Sequence, residues 1–372
     1  MAEHKTGRLL NMSIEQVSQP DTSIRGEDTS SVVFFEAVYR AFQQAEQVAG
    51  GPVERFYNIG GYTIRLRFAG SALVSGITPA LEHLAVVPSP TPDLTICICD
   101  STSTGIKMPP PLWPADVYVA RGDIQRYGDG DIKIAFYIGP KILNVLDTKQ
   151  NLAFYWIRDG YQLPYYESGS PLRIILHWWM RNHGRQYVHA GAVGTAMGGV
   201  LLAGKGGSGK STTALACLDS ALVYASDDYC LLTNKPVPYV YSLYNSAKLE
   251  ADDIHRLPHL VPFISNSDRL HEEKALFFLH KHCPDKVVTG FPIQTILLPR
   301  VAGRPETTLT PASPIASLKA LAPNTIFQLP GAGQAAFQTL AQFVRQVPRY
   351  YLEVGTNVSQ IPDVILHLLS GG

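Results

Sequence analysis

Residues 204–211 run Gly204, Lys205, Gly206, Gly207, Ser208, Gly209, Lys210, Ser211 and satisfy G-x-x-x-x-G-K-[ST] at every fixed position. An apolar run, 200–203, precedes them, and a helix-forming run, 212–218, follows. Glycines at this spacing let the backbone curl until successive N–H groups point inward at anionic oxygens, and the next helix adds its positive N-terminal end. The pattern predicts a phosphate cradle in which Lys210 reaches the β- and γ-phosphates and the Ser211 hydroxyl ligates magnesium, with Thr212 opening the helix. The expected ligands are ATP and Mg2+.

The same letters hold a rival. Gly204, Gly206 and Gly209 also satisfy G-x-G-x-x-G, with acids at Asp227 and Asp228 downstream, which is how a dinucleotide turn reads. Lys210, Ser211 and Thr212 separate the two readings. A phosphate-seeking ammonium and a metal-seeking hydroxyl at a helix start are expected in a P-loop and idle in a Rossmann turn.

A second apolar run, 222–225, ends in Ser226, Asp227 and Asp228, so two carboxylates leave a strand expected near the P-loop strand. One acid there serves magnesium or its water shell. A second allows another task, accepting the proton of an attacking hydroxyl. His189 opens the run His189, Ala190, Gly191, Ala192, Val193, whose small residues let backbones pack closely.

Taken together, a histidine-bearing strand, a short glycine-rich hairpin, the P-loop and an Asp pair whose second member lies 17 residues beyond Ser211 resemble the catalytic domain of HPr kinase/phosphorylase and its HPr-kinase-like relatives. The resemblance covers about residues 170–305 and is strongest over 188–230. It implies an α/β fold with a P-loop nucleotide-binding core of the HPr kinase / phosphoenolpyruvate carboxykinase type, and transfer from ATP to a hydroxyl, typically of serine. On this resemblance Lys210 and Ser211 match the phosphate lysine and magnesium serine, Asp228 the catalytic aspartate, and His189 the active-site histidine. Asp227 then supports the metal with Ser211, and the division of labour between the aspartates stays open. Arg300 and Arg304 in residues 298–304, and Arg269, match arginines that meet phosphate or substrate, whereas the family's magnesium glutamate has no clear counterpart, Glu250 being the candidate by position.

Residues 31–170 do not resemble the usual N-terminal domain of that family, so substrate choice is expected to reside there, and the acceptor can be a hydroxyl-bearing peptide, protein or small molecule. Other readings stay open: a regulatory nucleotide-binding module with slow hydrolysis, a dinucleotide-binding protein, or the same chemistry run from pyrophosphate or in reverse. A homo-oligomer is compatible with the resemblance.

The elements that must position these residues follow from pattern. Residues 1–30 are polar and aperiodic and read as a tail. Residues 33–47 carry Val33, Phe34, Ala37, Val38 and Phe42 at helical spacing before Gly50, Gly51 and Pro52 stop them. Short β-rich runs follow at 62–68, 94–99, 117–120 and 132–137, separated by proline-rich loops at 89–92 and 109–111 and a turn at 128–130. This is an α+β module over residues 31–170. Residues 171–181 read as a helix with Leu172, Ile175, Leu176, Trp179 and Met180 on one face, so His177, Trp178 and Trp179 read as packing residues. The catalytic part is then residues 171–372.

Composition bounds the rest. With 45% hydrophobic and 17% charged residues the chain is core-forming, and 372 residues exceed a usual single core. Thirty-one basic residues balance thirty-one acidic ones, which gives no global field for nucleic acid or an anionic membrane. The start lacks a secretory pattern and no apolar run reaches bilayer length, so a soluble, cytoplasmic protein is expected. Cys97, Cys99, Cys217, Cys230 and Cys283 are scattered and odd in number, which argues for reduced thiols. Cys97 and Cys99 alternate within one strand and read as buried rather than metal-binding.

Overall fold

A computed structural model describes residues 24–110, 130–326 and 333–371. The strand expected at 117–120 and most of the turn at 128–130 lie outside the described residues.

The first sheet has six strands: β1 (Pro52–Ile59), β2 (Tyr62–Ala69), β3 (Leu94–Asp100), β4 (Ile132–Tyr137), β5 (Ile142–Asp147) and β6 (Leu152–Ile157), in the order β1-β2-β3-β6-β5-β4. β3 runs parallel to both β2 and β6 and is buried along its whole length, as expected of a parallel strand covered on both faces. One face packs under the helix Ile24–Val48. Phe34, Phe35, Val38 and Phe42 meet Cys97, Cys99, Phe154 and Trp156 there, so both cysteines are free, buried thiols on that face. Residues 1–23 of the stretch read as a tail lie outside the described residues, and residues 24–30 of it are helical; Val33, placed on the apolar face by spacing, is 56% exposed while Phe35 is buried.

The other face of this sheet carries the helix Arg173–Asn182, whose residues 174–180 are all buried. The helix opens two residues later than its proline suggests, because Leu172 adopts φ +60 in the turn between this helix and the short one at Tyr165–Gly169. Trp178 and Trp179 are core, and the Trp179 indole N–H donates to Asn151 Oδ1 at 2.8 Å. A continuous apolar cluster runs from β1 to β3 through this helix to Tyr187, Leu231 and Tyr244. The two halves of the chain share this core across the boundary expected near residue 170.

The second sheet has nine strands: β7 (Gln186–Val188), β8 (Gly191–Thr195), β9 (Gly198–Leu202), β10 (Val223–Ser226), β11 (Cys230–Thr233) and β12 (Tyr239–Ser242), then β15 (Gly290–Val301), β16 (Thr308–Pro311) and β17 (Arg349–Val354). Its path is β10-β8-β9-β15-β12-β11-β7, with β17 on β15 and β16 on β17. The remaining strands β13 (Ser246–Leu249) and β14 (Ala275–Phe278) form a separate two-stranded sheet. β8 and β9 form a tight hairpin with Gly194 opposite Gly199. A Cβ on Gly194 would stand 2.5 Å from the Gly199 Cα, so the small residues there are a steric requirement. The result is a mixed α/β architecture with several sheets. No helix of the described residues is long and apolar enough to cross a membrane.

Candidate functional site

β9 ends at Leu202, the glycine loop follows, and the helix Lys210–Ala216 begins at once. Gly209 takes φ +97, in the left-handed region open to glycine, and this reversal turns the chain into the helix. Lys210 is buried and folds back along the loop, its Nζ donating to Gly204 O at 2.8 Å and Lys205 O at 3.2 Å. Burial lowers the affinity of that ammonium for its proton, and the charges of Asp227 and Asp228 oppose the effect.

The two aspartates leave β10 into the same place. β10 pairs with β8, not with β9, so the P-loop strand and the aspartate strand are separated by β8. A dinucleotide fingerprint requires a βαβ unit of neighbouring parallel strands, which this arrangement lacks. The Ser226 hydroxyl lies 3.0 Å from Ala190 O and 2.9 Å from Tyr229 O and ties the Asp-Asp turn to the chain that carries His189.

Around the pair the surroundings diverge. Asp228 Oδ1 lies 2.8 Å from His189 Nε2 and Oδ2 2.8 Å from Lys248 Nζ. Burial alone would raise its pKa, but Lys248 and then His189 hold the carboxyl well below the usual carboxylate range. Asp227 is 2% exposed, and its Oδ2 accepts the Lys248 main-chain N–H at 2.9 Å. Burial, and next the charge of Asp228, push its pKa up, while the Lys248 N–H and the Ser211 hydroxyl favour the charged form. Its Oδ1 is buried without a hydrogen-bond partner.

These groups line one cavity of about 420 Å3. Residues 206–212 line it, and so do Asp227, Asp228 and His189. Gly204 and Lys205 contribute to the loop through the carbonyls that hold Lys210. Tyr165, Tyr166, Arg173 and Tyr229 line it as well. Arg173 is bound to the buried Glu167 at 2.9 Å and reaches the Tyr229 hydroxyl at 3.3 Å. The His189 ring leans on Tyr229 with centroids 5.0 Å apart, and its Nδ1 is buried without a partner.

The three arginines matched by resemblance are elsewhere. Arg269 pairs with Glu273 at 2.6 Å, Arg300 binds Glu353 through Nε at 2.8 Å and covers the Tyr351 ring, and Arg304 hydrogen-bonds Thr308. None lines the cavity. The local reason for Arg300 is that β15 and β17 are neighbours with Arg300 opposite Glu353, so the guanidinium is satisfied across the sheet. The cations that do line the cavity are Arg173, Lys210, Lys248, Arg256 and Lys274. Glu250 lines it too, paired with Lys274 at 2.6 Å. Of this set sequence reasoning missed Lys248 and Arg173 above all. The available signal for Lys248 was a lone cation inside the short run Ser246, Ala247, Lys248, Leu249.

The residues present fit a magnesium ion on two counts. The Ser211 hydroxyl favours the charged form of the Asp227 carboxylate, and Asp227 Oδ1 is an orphaned buried acceptor among the described residues. Among the described residues no group of three or more His, Cys, Asp or Glu is arranged to hold a metal ion unaided.

No protein-family model matches the chain, and no curated protein matches it. Among solved structures it is similar to the Hpr(Ser) kinase/phosphatase from Coxiella burnetii, at 14% identity and a TM-score of 0.29, over 50% of this chain and 99% of that one. A likeness so distant leaves the chemistry to this chain's own side chains.

Proposed function

We propose that this protein is a kinase that transfers the γ-phosphoryl group of Mg-ATP to a hydroxyl, with serine-bearing peptides, proteins or small molecules as the acceptor class. The observation that carries the reading is the convergence, in one cavity, of the glycine loop with Lys210 and Ser211 and of the His189–Asp228 pair. A hydrolase needs the first half; a base next to the phosphate end is what a hydroxyl acceptor adds.

The loop N–H groups and Lys210 hold the phosphates, and Lys210 exchanges its loop carbonyls for phosphate oxygens. Ser211 and Asp227 would hold magnesium, which would supply charge neutralisation to the transferring phosphate. Asp228 accepts the hydroxyl proton as the new O–P bond forms and the bond to the β-phosphate breaks. A carboxylate paired with Lys248 and His189 is a weak base, which suits a loose transition state in which the proton leaves late. His189 orients that carboxylate. Catalysis is then mostly positioning and charge stabilisation.

The test is mass spectrometry of reactions holding the protein, Mg-ATP and a library of serine peptides and small hydroxyl compounds, with Asp228→Asn as control. A gain of one phosphate on an acceptor, absent in the control, is the expected result. ATP consumption with no acceptor labelled would move the reading to a nucleotide-sensing module with slow hydrolysis.

A further inference from the structure

Lys248 sits at the centre of the polar cluster yet belongs to no motif. Its side chain is 11% exposed, and its Nζ lies 2.8 Å from Asp228 Oδ2 and 2.9 Å from Ser170 Oγ. Its main-chain N–H donates to Asp227 Oδ2 at 2.9 Å. One residue thereby touches both aspartates through different groups. The amide is a neutral donor fixed by the strand, whereas the ammonium brings a full charge on a flexible stem.

A flexible stem needs a seat, and the chain supplies one from the other half of the sequence. A Cβ on Gly169 would stand 2.7 Å from Lys248 Cε, so the absence of a side chain there leaves the channel through which the stem passes. Ser170, fully buried, accepts from the ammonium. The Ser246 hydroxyl, two residues before Lys248, donates to Gly169 O. Gly169 and Ser170 therefore grip β13 twice, once at its start and once at Lys248.

We propose that Lys248 is the positioning residue of the transfer site: its ammonium holds the Asp228 carboxylate against His189 and toward the acceptor hydroxyl, and Gly169 and Ser170 seat that ammonium. The inference rests on the kinase reading. Lys248 acts only through Asp228. The segment that closes the N-terminal part of the chain thus sets the base of the catalytic part, while the loop that grips the nucleotide is left alone.

The test uses the full chain with Mg-ATP, water as acceptor and phosphate release as signal, together with binding of a fluorescent ATP analogue. Lys248→Met is expected to lower kcat about tenfold or more with KM for ATP and analogue binding within about twofold, Lys248→Arg to restore part of the loss, and Gly169→Ala to fall between. In an Asp228→Asn background, Lys248→Met is expected to cost less than about twofold further, because its effect runs through that carboxylate. Unchanged kcat in folded Lys248→Met overturns the proposal, and so does a loss of equal size in the Asp228→Asn background. If Lys248→Met does not fold, normal turnover in Gly169→Ala overturns it instead. Wild-type protein that neither binds Mg-ATP nor releases phosphate overturns the kinase reading itself, a result distinct from loss confined to the variants.

Discussion

Asp227 and Asp228 are consecutive, yet Asp228 has a side-chain nitrogen on each carboxylate oxygen, His189 Nε2 on one and Lys248 Nζ on the other, while Asp227 Oδ2 accepts the Lys248 main-chain N–H and its Oδ1 has no hydrogen-bond partner among the described residues. That difference assigns them different work. Asp228→Asn should bind Mg-ATP within about threefold of wild type and lose transfer about 100-fold or more. Asp227→Asn should instead weaken nucleotide binding in magnesium while leaving binding in EDTA unchanged. Titration of a fluorescent ATP analogue with and without magnesium measures both, and identical profiles for the two variants would sink the assignment.

Lys210 is held by two loop carbonyls and by no carboxylate hydrogen bond, so its charge is the one most readily given to a phosphate. Lys210→Ala should weaken ATP-analogue binding about tenfold or more, the worth of a charge-assisted hydrogen bond, with little change for adenosine. Equal losses for adenosine and ATP would show that the residue shapes the loop rather than contacts phosphate.

Much of this site was legible before the fold because its signals are local. Residues 204–211 carry their own geometry, and the runs 200–203 and 222–225 flank them as strands. Lys248 and Arg173 were not legible, because nothing near them in sequence says they meet Asp228 or Tyr229. Their placement comes from long-range packing, Gly169 against β13 and the helix Arg173–Asn182 against the second sheet. The β1, β5 and β6 strands likewise went unmarked, since pairing rather than sharp alternation defines them. Helix-period spacing misplaced Val33 because a register one residue later turns Phe35 inward.

Arg300 shows how satisfied a matched residue can be without reaching the site. It is 52% exposed, bidentate on Glu353 and stacked over Tyr351 with 4.0 Å from guanidinium carbon to ring centroid. Arg300→Ala, and equally Arg269→Ala, should shift ATP-analogue affinity and turnover by less than about threefold, as expected of exposed ion pairs. Loss of an order of magnitude in either would show that substrate draws that arginine inward.

His83 joins the two parts of the chain and should make their junction acid-sensitive. Its Nε2 lies 2.7 Å from Ser242 Oγ and its Nδ1 faces the Asn245 amide at 3.4 Å, so the neutral ring donates from Nε2 and accepts at Nδ1. Asn245 in turn donates to Pro79 O at 2.8 Å, which makes the ring part of the seam between residues 79–84 and β12. Burial, and then the neighbouring His280, push the His83 pKa down to about 3, whereas the unfolded chain titrates near the ordinary value of 6.5. The unfolded state therefore binds the proton first. The contribution is complete above about pH 6.5 and is lost as pH falls toward 3, at up to about 1.4 kcal/mol per pH unit. Urea midpoints should drop between pH 7 and pH 5 in wild type and drop less in His83→Gln, whose amide can replace both hydrogen bonds without titrating. Parallel pH dependence in the two proteins would show that the acid-sensitive group lies elsewhere.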